Sequence, residues 1–339
     1  MRGQGDGDGR MLGTIEETLR VLRETMEDHR RTLAGEVPQP ATPPAPPPAR
    51  SSPPPRWLGE VGAELERAAG VQMSDTIAAK LERLFAGSSD LAIDEWLARV
   101  RRPGPLHPDL QLLIESLTTH ETFFFRDPSQ LQLLRTAILP RLIAEARTSG
   151  RRRLRLWSAG CSTGEEAYSL AIVALLALHD AGEGVLAQGR VRPMPGWTVE
   201  VLGTDISSRA LDIATSGVYG TGGLSSFRDA PPELLAYLQE TEGGKARRVH
   251  DDLREFVRFK RFNLIDAPLP IDGCDVAACR NVLIYLTAEA RRRVQDGLHR
   301  ALRPGGCLLL GPTDSLADPL RFDSHWSGTG IVHSRRPAA

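Results

Sequence analysis

The chain has 339 residues, of which 41% are hydrophobic and 25% charged, with a formal net charge of −1; this is the composition of one or two globular domains. A balance this even, with a pI of about 6.7, argues against a basic nucleic-acid-binding domain, whose pI would exceed roughly 9, and against an anionic-membrane binder. The longest apolar stretch, AYSLAIVALLAL at 167–178, is shorter than the roughly 20 residues that span a bilayer, and the polar opening MRGQGDGDGR has no signal-peptide core, so a cytoplasmic protein without membrane insertion is expected.

In chain order, Ile15, Leu19, Leu22 and Met26 recur at helical spacing. They predict a short amphipathic helix in a leader spanning 1–37, marginal alone or a docking helix for a partner. Residues 38–56 follow as a linker, with ten prolines in PQPATPPAPPPARSSPPP. That run cannot form a backbone ladder and predicts a polyproline-type spacer. Residues 57–125 read as a helical domain. Val61, Leu65, Ala68 and Ala69 share a face, SDTIAAKLERLFA opens on a serine cap, and AIDEWLARV and PDLQLLIESL follow, the last with proline near its start.

From 126 to 339 the pattern alternates. Strands are predicted at LRLWSA, TVEVLGT, FVRFKRF, CDVAACRNV and GCLLLG, and helices at 164–180, 207–215, 231–240 and 287–302. Such alternation implies an α/β fold with a doubly wound parallel sheet, covered on both faces, that binds ligands at the carboxyl ends of its strands. The four cysteines, Cys161, Cys274, Cys279 and Cys307, form no CxxC or Cys/His cluster. Reduced, mostly buried thiols and no metal site are expected.

The first of these strands ends in WSAGCSTGEEA, 157–167. Gly160 and Gly164 would let backbone N–H groups approach a ligand closely, but no lysine follows, so the phosphate-loop pattern is absent. The next strand ends in Asp205, where a doubly wound fold places an acid against ribose hydroxyls; an ordinary helix cap is the bland alternative. Together these features favour an adenosine-containing ligand. Glu165 and Glu166 would repel phosphate but suit a cofactor with a cationic amino-acid end, such as S-adenosylmethionine. Either could also simply complement the helix dipole, and Glu165 is assigned that role.

Six ordered stretches, TTHETFFFRD, LWSAGCSTGEEAYSLA, GTDISSRALDIATSGVY, FNLID, CRNVLIYL and LRPGGCLLLG, resemble the chemotaxis receptor methyltransferases of the CheR type over roughly residues 65–335. The resemblance implies an S-adenosylmethionine-dependent methyltransferase (Rossmann-like) fold, with a small helical N-terminal domain and a small β-subdomain inserted at about 220–256. It implies methyl transfer to glutamate side chains of chemoreceptor cytoplasmic helices, S-adenosylhomocysteine as product, no metal, no nucleic acid, and a monomer. By motif, His120, Thr122, Arg126, Glu166, Asp205, Asn263, Leu264, Arg280 and Asn281 would line the cofactor, with His120 where relatives usually hold asparagine. Arg126 and Tyr285 would stand nearest the methyl and the acceptor. The region SDTIAAKLERLFAGSSDLAIDEWL holds only Lys80 and Arg83 where relatives have a strongly basic docking helix. LQETEGGKARRVHDDLREFVRF is short for a tether-gripping loop. A weakly catalytic, S-adenosylmethionine-binding adaptor, or a methyltransferase for another carboxylate, is the alternative.

Overall fold

In a computed structural model, residues 17, 19–21, 23–24, 54–118, 121–222, 226–228, 230–241 and 243–337 are described. The Pro-rich stretch 38–53, His120, and Ile15, Leu22 and Met26 of the expected leader helix lie outside them. The described residues fall into two compact units, one comprising those between 17 and 24, 54–118 and 285–290, the other those of 121–284 and 291–337.

The helical unit contains α1 (Arg56–Ala69), α2 (Asp75–Leu84), α3 (Asp90–Val100) and α4 (Pro108–Leu117). Ser74 and Ser89 cap α2 and α3, accepting from Ile77 N–H at 3.3 Å and Ala92 N–H at 3.2 Å, which satisfies donors a helix start leaves orphaned. Trp57, Phe85 and Trp96 pack ring to ring in its core, with centroids 5.3 and 5.5 Å apart. Leu19 is buried, and Arg23 donates to Asp109 at 2.7 Å. The backbone of 285–287 belongs here too: Gln72 N–H donates to the Tyr285 carbonyl and Thr287 N–H to that of Gly70.

The second unit begins with α5 (Pro128–Leu133), a π-helical turn, and α6 (Leu139–Thr148). Its seven-stranded sheet runs in the order β11-β12-β10-β9-β1-β4-β8, built from β1 (Arg153–Ala159), β4 (Thr198–Asp205), β8 (Val257–Arg261), β9 (Cys274–Cys279), β10 (Leu302–Leu310), β11 (Phe322–Ser327) and β12 (Gly330–Arg335). Strands β10, β9, β1, β4 and β8 are mutually parallel, and β12 and β11 join antiparallel. The helix α7 (Glu165–Asp180) is buried around almost its whole circumference, the property of an all-round apolar helix. It lies against β1, β4 and the hairpin of β2 (Gly184–Ala187) and β3 (Arg190–Pro193). The helix α8 (Ser208–Ser216) contacts β4 and β8.

The inserted subdomain is the three-stranded sheet β5-β7-β6, formed by Val218–Gly220, Ala246–Val249 and Leu238–Glu240. It corrects one expectation: the helix expected at 231–240 is a single turn, α9 (Pro232–Leu235). Residues 238–240 pair with β7 instead, where a ladder satisfies their backbone better than a short, Pro-initiated helix. After α10 (Asp251–Arg254) and β8, the helix α11 (Ala288–Ala301) precedes β10. All four cysteines are free and buried. Among the described residues no helix is long and apolar enough to cross a membrane.

Candidate cofactor and methyl-transfer site

Chain order carries β1 to β4 on one side, while β9 pairs on the other, so the strand order reverses at β1. Ligands bind doubly wound sheets outside the carboxyl ends of the strands at such a reversal. The register aligns Ala159 with Thr204 and Ser158 with Ala278. It therefore brings the glycine loop, Asp205, Arg280 and Asn281 to one end of the sheet.

The loop after β1 turns through three positive-φ residues, Gly160 at 85°, Ser162 at 49° and Gly164 at 98°. Glycine meets no steric cost there, and a Cβ on Gly164 would lie 2.7 Å from Ala214 and 3.0 Å from the Phe259 ring. The N–H groups of Gly160 and Cys161 both donate to the Thr204 carbonyl at 2.8 Å. Asp205 then fixes the loop: Oδ2 accepts from Ser162 N–H at 2.8 Å and Oδ1 from Ser207 N–H at 2.9 Å. The helix cap at Ser207, whose Oγ accepts from Ala210 N–H at 3.1 Å, leaves Asp205 at the strand end rather than in the cap itself.

The two glutamates opening α7 have different surroundings. Glu166 Oε1 accepts from Ser158 Oγ at 2.6 Å, and Oε2 faces Arg280 Nη1 at 3.2 Å. Glu165 is buried and accepts from the hydroxyls of Thr163 and Ser226, each at 2.6 Å. Its burial pushes the carboxyl pKa up, opposed by those two hydroxyls and the positive charge of Arg228. Glu165 thus starts the helix as expected, but as an interior group rather than an exposed dipole partner.

Arg280 is the hub. Its side chain is only 2% exposed, and it bonds Glu166, Asp127 Oδ2 at 2.8 Å, and the backbone carbonyl of Arg126. One cation against two carboxylates leaves this partly buried cluster, in which the Asp127 side chain is 36% exposed, one negative charge over. Asp127 was not a sequence candidate. Lying before Pro128, it reads as a helix cap, yet its side chain makes no cap bond and turns to Arg280 instead. Ser158 and Ser226 were also missed, since only the fold brings their hydroxyls to the two glutamates.

Of the other expected residues, Arg126 donates to the Glu121 carbonyl at 3.1 Å and stands 5.8 Å from the Phe123 ring centroid. Thr122 and Leu264 are half-buried, Leu264 beside Asn263, whose amide donates to Asp266 at 3.3 Å. Asn281 adopts φ 60°, and its Oδ1 is buried without a hydrogen-bond partner. Tyr285 falls in the helical unit, and His120 lies outside the described residues.

S-adenosylmethionine fits this end of the sheet. The partly buried cluster has a net negative charge to set against a cationic cofactor, Asp205 is an acid at the place for a ribose, and Asn281 Oδ1 and Arg280 Nε are buried polar atoms that lack partners, a state a ligand would relieve. Among the described residues there is no group of side chains that could hold a metal.

The fold and site define a cofactor-dependent α/β methyltransferase. Residues 120–329 match the family model described as CheR methyltransferase, SAM binding domain. The chain is 32% identical over 275 residues to Chemotaxis protein methyltransferase 1 of Pseudomonas aeruginosa, covering 79% of this chain and 94% of that protein. It is 28% identical over 277 residues to Chemotaxis protein methyltransferase Cher2 of Pseudomonas putida, covering 80% and 95%, and 32% identical over 221 residues to Chemotaxis protein methyltransferase 1 of Vibrio cholerae, covering 65% and 74%. The chain belongs to the CheR methyltransferase family, and S-adenosylmethionine is its cofactor.

Proposed function

We propose that this protein is a protein-glutamate O-methyltransferase that esterifies glutamates on the cytoplasmic helices of a chemoreceptor. The observation that carries the reading is the bonded cluster at the strand ends. Arg280 ties the Arg126–Asp127 loop to Glu166, while Asp205 holds the glycine loop. The family motifs thus meet in one acidic site suited to a cationic cofactor.

A glutamate side chain, with a pKa of about 4.3, is already ionised at neutral pH and needs no general base. What the protein must supply is alignment and a poorly hydrated carboxylate. Phe123, half-buried beside Thr122 and Arg126, suits that task; Phe124 and Phe125 are core residues that hold the loop in place. When bound, S-adenosylmethionine would supply an electrophilic methyl group to the already ionised carboxylate, which this chain's own residues need only bind, orient and keep from water. In this reading Arg126 and Tyr285 act at the acceptor, and His120, Thr122, Gly160, Glu166, Asp205, Asn263, Leu264, Arg280 and Asn281 at the cofactor.

Labelled S-adenosylmethionine incubated with the protein and the cytoplasmic fragment of a chemoreceptor from the same organism should yield base-labile methyl ester. Base-stable label would overturn the glutamate assignment. A second reading, an S-adenosylmethionine-binding adaptor without turnover, draws support from Lys80, whose ammonium donates to the Leu117 carbonyl at 3.2 Å rather than facing a partner. Tight S-adenosylhomocysteine binding with no transfer to any receptor fragment would favour it.

A further inference from the structure

Arg228 projects from the segment between β5 and α9, and its guanidinium carbon lies 3.8 Å from the Phe123 ring centroid. Arg126 approaches the same ring, so one phenyl ring is attended by two cations. Arg228 Nη2 donates to Glu121 Oε1 at 3.0 Å; the Glu121 side chain is 63% exposed, that of Arg228 24%. The other terminal nitrogen of Arg228, Nη1, is buried and has no hydrogen-bond partner. A guanidinium presents two parallel donors that match both oxygens of a carboxylate, and Glu121 uses only one.

Ser226 and Phe227, just before Arg228, are held beside the cofactor loop. The Ser226 carbonyl accepts from Phe124 N–H at 2.9 Å, and Ser226 Oγ donates to Glu165 at 2.6 Å. Phe227 stacks on Phe124, with centroids 5.4 Å apart. The guanidinium therefore stands on the aromatic loop that carries Thr122 and Arg126, and the group occupying it is a glutamate carboxylate on an exposed, exchangeable side chain.

We propose that Arg228 is a second acceptor-binding guanidinium, beside Arg126 on the Phe123 ring, and that Glu121 is an internal glutamate that holds this position until the side-chain carboxylate of the acceptor displaces it. This rests on the protein-glutamate reading above. The arriving carboxylate is the same chemical group as the one it replaces. The Phe123 ring shields one side of the pair from water.

The test uses a minimal acceptor, N-acetylglutamate N-methylamide, titrated by NMR into the S-adenosylhomocysteine-saturated protein, with its γ-methyl ester as neutral control. The acid should bind and the ester should not. Arg228→Gln should weaken the acid by about tenfold or more, while Glu121→Gln, which removes the competitor, should tighten it by about threefold. Affinity for S-adenosylhomocysteine should stay within about twofold in both. Equal binding of acid and ester, an Arg228→Gln variant that binds the acid like wild type, or a Glu121→Gln variant that binds it no better would each overturn the proposal. Should Arg228→Gln lose the cofactor, the exposed Glu121→Gln variant decides alone. The parent reading fails separately: selective acid binding without base-labile ester on any receptor fragment leaves this subsite in place and removes the receptor.

Discussion

Burial favours the uncharged form of Glu165, so the folded protein holds that proton more tightly than the unfolded chain does. Stability from this group is then greatest in acid. It declines as pH rises from the ordinary carboxylate value, about 4.3, through the raised folded value, and is level above it. Glu165→Gln removes that titration. Thermal unfolding from pH 4 to 8 should show the variant gaining on wild type as pH rises, then a constant difference; a difference independent of pH would show that burial exerts no such pull. Glu166, one residue on, is matched by Arg280 and Ser158. The sequence separates the two glutamates only through the motif, because the distinction depends on Ser226, 61 positions from Glu165, and on Arg280, 114 from Glu166. The second is invisible until strands β1 and β9 lie side by side, and the first until Ser226, beyond β5, reaches the start of α7. Asp205 was legible as a strand-end acid, but its grip on Ser162 N–H was not.

Among the elements, the strands with continuous apolar runs and the long apolar helix α7 were the most legible, since burial on both faces leaves a composition that little else produces. The hairpin β11–β12 was not: FDSHWS is mostly exposed and has no apolar run to mark it. The short Ser327–Gly330 turn allows only antiparallel return. What joins the loop at 126–127, helix α7 and the end of β9 is Arg280, a residue that the motif marks as an expected cofactor contact and that the structure shows as an internal tie. Replacing it with methionine would leave Asp127 and Glu166 without their cation in a site where Arg280 is almost wholly buried. Breaking a buried pair in this way typically costs about 3–5 kcal/mol. Urea unfolding of Arg280→Met should show a loss of that order, and adding Asp127→Asn and Glu166→Gln should restore part of it by removing the unpaired charges. A loss below about 1 kcal/mol, the range of an exposed pair, would mean that the tie bears little of the loop's stability.

At the scale of the whole molecule, the question is what brings the acceptor to the enzyme. The resemblance leads one to expect a basic docking helix at 74–97, yet α2 holds two cations, Lys80 and Arg83, against two acids, Asp75 and Glu82. Lys80 is further withdrawn. Its ammonium is spent on the Leu117 carbonyl, and burial together with Arg83 lowers its pKa. A face with so little uncommitted charge offers little long-range attraction to an acidic receptor bundle. Exposed single pairs contribute about 0–1 kcal/mol and are screened within about 10 Å at 0.1 M salt. If docking depends on shape and on a few local carboxylate contacts, the KM for a receptor fragment should rise by less than about threefold between 50 and 300 mM sodium chloride. The kcat should stay level, because methyl transfer itself creates no new long-range charge contact. Initial rates across that salt range, with ionic strength as the only variable, provide the measurement. A KM that climbs tenfold or more, the behaviour of several charges acting together, would show that basic residues elsewhere on the chain replace the missing face of α2.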